Sequence, residues 1–493
     1  MKGTLLPSSF LLLPFLLLAT SNAAGYRYGA SDQAFYTPAV MQRLEPRLFP
    51  ADTPLLNVQA NLTLADEAVA ELSRLTGLEL PELYLTLYVV TLVLMGSAVF
   101  CIGATMYGQW WTSVVLLAGL SLRHAIARSG TNTLEGYFHT RQLAFALGML
   151  AVCAFLRNQN AIVLFLMACA AALHPTTTLW FVMWLGTATF LAEPRWRRGL
   201  IRTVAATLPF ITYGFLQGPL VGRLARMDPE WIAAIGEKDY LFPLQWPPHA
   251  WAINLSYPLV IGLTWWLRRR SGVLRPRETA LILGSASLLV IFLCALLFQV
   301  FPVALAVQLQ PARVFWMLDF LAVVYLAWLL AEYITRGRRW AAITVAVTVA
   351  IFATARGVYV MRVEFPDRPL LQARIPNDDW GRVMAFARST DPSSGWLAEP
   401  AHAARYGTSV RVAGERDVFV EALKDMALGM YDRGIAIRTR DRIRELADFQ
   451  SLSATHARQL ATSYNLKYLV SAAALDLPIV FETRTLRVYR LRD

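Results

Sequence analysis

The sequence predicts an α-helical multi-pass membrane domain of about 11 transmembrane helices, followed by a C-terminal extracytoplasmic α/β domain. Three observations predict it. Of 493 residues, 56% are hydrophobic and only 16% charged, a balance that soluble chains of this size do not show. Apolar runs approaching the roughly 20 residues that a hydrocarbon core of about 30 Å requires recur up to about position 360. Beyond position 361 the chain turns mixed and charged, with short strand patterns. The domains are therefore drawn at 1–360, which includes a long outer loop at 25–80, and 361–493.

The net charge of +12 does not point to nucleic acid, because the basic clusters lie between apolar runs, where membrane orientation requires them. Nearly all of it is arginine, since lysine occurs only at 2, 238, 424 and 467. Cys101, Cys153, Cys169 and Cys294 all sit within apolar runs, where cysteine behaves as a small hydrophobe. Their placement suggests neither a disulfide framework nor a metal-ligand spacing.

At the N-terminus, Lys2, the run Leu5–Ala19 and Ser-Asn-Ala-Ala fit either a cleaved signal peptide or a retained first span, and the span is favoured. The outer loop carries two amphipathic stretches, Asp32–Leu44 and Leu64–Leu75, on either side of Phe49-Pro-Ala-Asp-Thr-Pro54. Such stretches are expected to lie flat at the membrane interface. Further spans are expected near 83–102, 111–122, 142–156, 160–173, 176–192, 200–219, 251–267, 279–298, 314–331 and 340–360. With the N-terminus cytoplasmic, Pro194-Arg-Trp-Arg-Arg198, Arg268-Arg-Arg270 through Arg277, and Arg336-Gly-Arg-Arg339 all fall on the inner side. An odd count then places the C-terminal domain outside a cell inner (plasma) membrane.

In that domain, Asn377-Asp-Asp-Trp380 opens a capped helix and Trp396-Leu-Ala reads as a strand. Helical patterns follow near 418–430, 439–447 and 453–464, then a strand at 467–470. The stretch 479–491 reads as a hairpin turning near Thr483-Arg484. No Gly-rich phosphate loop, Ser-His-Asp spacing or clustered ligand set is evident there, so the domain reads as structural or acceptor-positioning.

Ionisable residues at span ends need a reason, because insertion costs roughly 2.5–3.5 kcal/mol each. The expected outer ends carry Asp32, Glu135, His139, Arg141, His174 and Arg313. Arginine offers a fork of donors matched to phosphate oxygens, histidine donates or moves a proton, and a carboxylate serves as general base. Together they suit transfer of a group from a phosphorylated lipid. Each has a plainer reading. Asp32 could cap the helix beginning near Gln33. Arg141 and Arg123 could snorkel to the interface. Glu135 and His139 would meet on one face if 135–139 is helical, as a simple contact or, with Asp32, as ligands of a divalent cation. His174-Pro175 could be only a helix break, although three threonines follow it. Arg313 could pair with Asp319, but six residues suit one helix face poorly, which favours a ligand role.

Gly29-Ala-Ser-Asp32-Gln33 and, more loosely, Glu135-Gly-Tyr-Phe-His139 resemble the GT-C superfamily of polyprenyl-phosphate-dependent membrane glycosyltransferases, in the setting of many spans, an early outer acid and an outer C-terminal domain. The resemblance implies that Asp32 is the catalytic base and that Glu135 and His139 assist or bind a metal, Mg or Mn. Family members often show two adjacent acids where this chain has Asp32-Gln33. The Trp-Trp-Asp-Tyr-Gly motif of oligosaccharyltransferases is absent, since Trp110-Trp111 continues with Thr-Ser. The stretch Glu135–Trp180 also resembles uncharacterised bacterial multi-pass membrane proteins. The expectation is an inverting transfer of a hexosyl or pentosyl group from a polyprenyl-phosphate donor in the bilayer to an extracytoplasmic acceptor. Asp32 would act as base, and His139, Arg141, His174 and Arg313 would bind phosphate. The alternatives are a transporter or flippase of lipid-linked or small substrates, and a non-catalytic assembly subunit. No internal repeat supports the transporter reading.

Overall fold

The computed structural model describes residues 9–61 and 63–492, so Lys2 and the start of the first apolar run lie outside the described residues. The chain is mostly helical and separates into two compact units. One comprises Met1–Tyr26, Thr86–Arg226 and Asp239–Leu371; the other comprises Arg27–Leu85, Met227–Lys238 and Gln372–Asp493.

Each expected apolar segment is helical. In chain order they are α1 (Ser9–Asn22), α2 (Leu80–Met106), α3 (Trp110–Ser121), α4 (Thr140–Leu156), α5 (Asn160–Leu173), α6 (Pro175–Ala192), α7 (Pro194–Leu216), α8 (Pro248–Arg270), α9 (Glu278–Val300), α10 (Val314–Trp328) and α11 (Arg339–Tyr359). Among the described residues, five helices are long and apolar enough to cross a membrane: Leu80–Met106, Pro194–Leu216, Glu278–Val300, Ala304–Tyr333 and Arg339–Glu364. The others are shorter or more polar.

Side-chain contacts fix the helix directions in the first unit. Gln142 meets Met95 and Arg157 meets Thr105, so α2 and α4 run parallel. Tyr137–His139 leads into α4, where His139 faces His174 and Phe145 faces Phe181, which makes α4 and α6 parallel too. Glu332 holds the start of α3, while Gly119 lies near Val323, so α3 opposes α10. The Arg277–Glu193 pair and the Trp184–Leu281 hydrogen bond make α6 and α9 antiparallel. Every one of these relations matches a chain that reverses direction at each successive helix. The bundle therefore has two distinct ends. One collects Arg157, Glu193, Arg268, Arg277 and Glu332; fully buried Arg268 is bonded there to Glu278 at 2.6 Å. The other collects His139, His174 and the start of α10.

The sequence reading of the cysteines is corrected here. Cys101 and Cys153 form a disulfide between α2 and α4, while Cys169 and Cys294 are free. The parallel packing of the two helices brings together residues that are 52 positions apart, which spacing within apolar runs does not reveal.

The second unit is built on a four-stranded sheet of β1 (Gly395–Leu397), β2 (Leu466–Ser471), β3 (Ile479–Glu482) and β4 (Arg487–Arg490), ordered β1-β2-β4-β3. β1 and β2 are parallel; β4 is antiparallel to both β2 and β3. Alternation along the strands supplies both faces. Leu397, Leu469 and Tyr489 pack with the helix Ala454–Tyr464 on one face, and Trp396, Val470 and Val488 with the helix Asp379–Ser389 on the other. Asp378 and Ser453 cap those helices through Gly381 N and His456 N.

The amphipathic stretches of the outer loop are helices at Gln33–Leu44 and Ala65–Thr76, with a further helix at Thr53–Ala60. The expectation that they lie flat at an interface is corrected for the first of them. Gln33–Leu44 buries seven residues from Gln33 to Val40, and Phe35 and Leu55 share a core with Leu428 and Ile435. Protein, not lipid, covers that apolar face.

Candidate functional site

In the first unit, three helices begin close together. Phe145 of α4 stacks on Trp316 of α10 at 3.9 Å and meets Phe181 of α6 edge-on at 5.4 Å. These contacts lie one to two turns below the N-termini, which carry His139, His174 and Arg313 respectively. His139 caps α4, its Nδ1 accepting Arg141 N at 3.0 Å. His174 is the single residue between α5 and α6 and caps the latter by accepting Thr177 N at 3.2 Å. The two imidazoles are 6.2 Å apart between ring centres. Burial, followed by the charges of Arg313, His139 and Arg141, holds His174 well below its usual pKa. A neutral His174 thus sits within reach of two guanidinium groups.

Arg141 and Glu135 are both buried and form an ion pair at 3.2 Å. Arg141 therefore does not snorkel outward. Asn132 also donates to Glu135, at 3.3 Å. The segment 133–139 is not helical, so the helix-face argument for Glu135 and His139 fails. Backbone packing shapes this segment instead: a Cβ on Gly136 would meet Gly25 O at 2.4 Å and Ala23 O at 2.6 Å. Asp319 is bonded to His124 at 3.1 Å, which identifies a partner for it other than Arg313. Although burial opposes it, the hydrogen bond and charge of Asp319 raise the His124 pKa.

Among the described residues, no group of three His, Cys, Asp or Glu side chains is placed to hold a metal ion. The Glu135 carboxylate faces the Arg141 guanidinium, and His139 Nδ1 is used as a cap.

Four further donors sit at this end of the bundle, and residue spacing did not single them out. Thr140 Oγ1, Thr177 Oγ1, Trp180 Nε1 and Trp316 Nε1 are buried and have no hydrogen-bond partner among the described residues. Thr178, by contrast, bonds back to His174 O at 3.1 Å, the usual recourse of a helical hydroxyl. The triple threonine after His174-Pro175 was the one available sequence signal. Three helix N-termini, each with roughly half a positive charge, two arginines and four free donors make a setting for a compact anion with several acceptor oxygens.

Asp32 belongs to the second unit. It precedes the helix Gln33–Leu44 with helical backbone angles and no side-chain cap bond, which corrects the capping alternative. Its Oδ1 accepts from Lys424 Nζ at 2.6 Å, and the same ammonium donates to Ser31 Oγ at 3.1 Å. Lys238 lies in the same field; burial and the Lys424 charge lower its pKa. Two of the four lysines of the chain thus gather around Asp32, a scarcity signal legible only in hindsight. The chain matches no family model and no curated protein.

Proposed function

We propose that this chain is a multi-pass membrane glycosyltransferase that moves a hexosyl or pentosyl group from a polyprenyl-phosphate donor to an extracytoplasmic acceptor. The carrying observation is the gathering of Arg141, Arg313, His139 and His174 at three helix N-termini, beside four buried donors that lack acceptors. A phosphate group supplies the acceptors those donors lack. The alternation of helix direction supports eleven spans, and the basic residues 195–198, 268–270 and 336–339 then share the cytoplasmic side of an inner membrane. The second unit is extracytoplasmic in this reading.

In the reaction, Asp32 takes the proton of an acceptor hydroxyl as its oxygen bonds to the anomeric carbon. The bond from that carbon to the phosphate oxygen breaks, its electron pair leaves with the lipid phosphate, and configuration inverts. Arg313 and Arg141 stabilise the charge developing on the leaving phosphate. Neutral His174 contributes orientation and adds no further positive charge.

The test is sugar release from a radiolabelled polyprenyl-phosphate sugar by the protein in lipid nanodiscs. Asp32→Asn should abolish release while leaving folding and insertion intact, and Arg313→Ala should weaken donor binding more than folding. Retained turnover by Asp32→Asn excludes it as base. Movement of the intact lipid-linked sugar across the bilayer without release identifies a flippase instead.

A further inference from the structure

A cleft in the second unit takes no part in the roles assigned above. It encloses about 270 Å³ and is lined by Asp52, Asp417, Phe419, Arg442, Tyr464 and Asn465, among others. Its construction follows from the sheet. The segment 417–419 runs beside β1, with Trp396 N donating to Asp417 O at 2.9 Å and Phe419 N to Trp396 O at 2.8 Å. Phe419 thereby meets Tyr464, the last residue of its helix, edge-on at 4.8 Å. Arg442 stands over both rings, 4.9 and 5.3 Å from their centres, and donates Nη1 to Phe419 O at 2.6 Å.

The charges here are unevenly matched. Arg411 is bonded to Asp52 and Asp425, and Arg438 to Asp52. Asp417 accepts two backbone amides, Ala51 N at 3.1 Å and Asp52 N at 2.9 Å. Arg442 has no ion-pair partner among the described residues and keeps the rest of its donor fork for the cleft. Burial and the nearby Arg438 charge lower its pKa to about 10, and it remains a cation at neutral pH.

We infer that this cleft binds a carboxylate-bearing sugar, with the carboxylate on Arg442, the ring beside Tyr464, and hydroxyls toward Asp417 and Asn465. A planar carboxylate matches the guanidinium fork of Arg442, which has no ion-pair partner of its own among the described residues. A phosphate would bring more charge close to Asp52 and Asp417. The volume is below the roughly 300 Å³ at which pockets for drug-sized ligands begin, so the occupant is of monosaccharide size. The partly exposed edge of Tyr464 suits a sugar ring, and the carboxylate of Asp417 retains acceptor capacity for a hydroxyl beyond its two amide bonds. This inference stands apart from the transfer reaction, because occupancy is read without turnover.

Titration of glucuronate, glucose and acetate into the full-length detergent-solubilised protein, followed by calorimetry and saturation-transfer NMR, tests it. Glucuronate should bind saturably, with glucose and acetate each at least about tenfold weaker. Arg442→Gln should reduce glucuronate affinity about tenfold or more at an unchanged melting temperature. Should that variant fail to fold, Tyr464→Leu, which removes one ring wall, must produce the loss. Equal binding of glucose and glucuronate, equal binding of acetate, unchanged affinity in the folded variant, or no binding of glucuronate each overturns the inference.

Discussion

Lys424 donates a hydrogen bond of 2.6 Å to Asp32, a residue 392 positions earlier in the chain, within the second unit. Both side chains are about one-fifth exposed, so their pairing is worth at most about 1 kcal/mol in stability. Its larger consequence is orientation. The bond to Lys424 fixes the Oδ1 of Asp32 and with it the plane of the carboxylate. Lys424→Met should therefore cut the turnover rate about tenfold with little change in melting temperature, and Lys424→Arg should restore most of it. Full activity in Lys424→Met would show that the pair does not position Asp32.

The buried hydroxyl of Thr177 permits a test with opposite signs. Valine has nearly the same shape, so Thr177→Val removes an unsatisfied polar atom without leaving a cavity. The unliganded protein should become more stable by about 1 kcal/mol. Donor affinity should fall about tenfold, the loss of one hydrogen bond to a charged group. Thermal melts with and without the lipid phosphate read both effects. A variant that is stabilised but binds normally removes Thr177 from the site.

Arg411 is fully buried between Asp52 and Asp425, with four hydrogen bonds linking Arg411 and Arg438 to these carboxylates. Removing one partner of such a group leaves buried charge uncompensated. Arg411→Met should cost about 3–5 kcal/mol in chemical denaturation. Combining it with Asp425→Asn should recover part of that loss, since one of the stranded carboxylates disappears. An equal loss in the double variant would place the cost in packing.

Two carboxyl groups give the second unit a pH dependence. Burial, reinforced by the Glu67 charge and opposed by Arg43, raises Asp66 from 3.8 to about 7. Burial and the Asp425 charge raise Glu421 from 4.5 to about 7. The folded state therefore holds these protons to higher pH than the unfolded chain. Their contribution is complete below about pH 4 and is lost as pH rises through about 7. At about 1.4 kcal/mol per unit, each contributes on the order of 3 kcal/mol to that loss. The double variant Asp66→Asn, Glu421→Gln should melt with a weaker dependence between about pH 5 and pH 8 than the parent, the difference appearing on the alkaline side. Parallel melting curves across that range would refute the assignment.

Much of the second unit was legible residue by residue. The run Asn377-Asp-Asp-Trp380 announced its helix through capping chemistry, and 479–491 announced its hairpin by alternation. The short helices His402–Tyr406 and Val410–Gly414 were not legible, because one or two turns carry too little periodicity. Arg411, which lies in the second of them, was missed with it. Of the candidate site, the residue types at the helix starts were visible, but their partners were not. The Glu135–Arg141 ion pair and the Asp319–His124 hydrogen bond join residues that spacing along the chain does not pair.

By itself, the sequence determined where the apolar helices form, because apolar length acts over a few turns and needs no distant partner. It also marked the arginine clusters at 195–198, 268–270 and 336–339, since each is contiguous. Tertiary structure alone decided the Cys101–Cys153 bond, the grouping of 27–85 and 227–238 with the C-terminal residues, and the partner of every buried charge. Those depend on which helix faces meet, and an ion pair such as Asp32–Lys424 acts over a few ångströms between residues whose separation along the chain carries no trace of it.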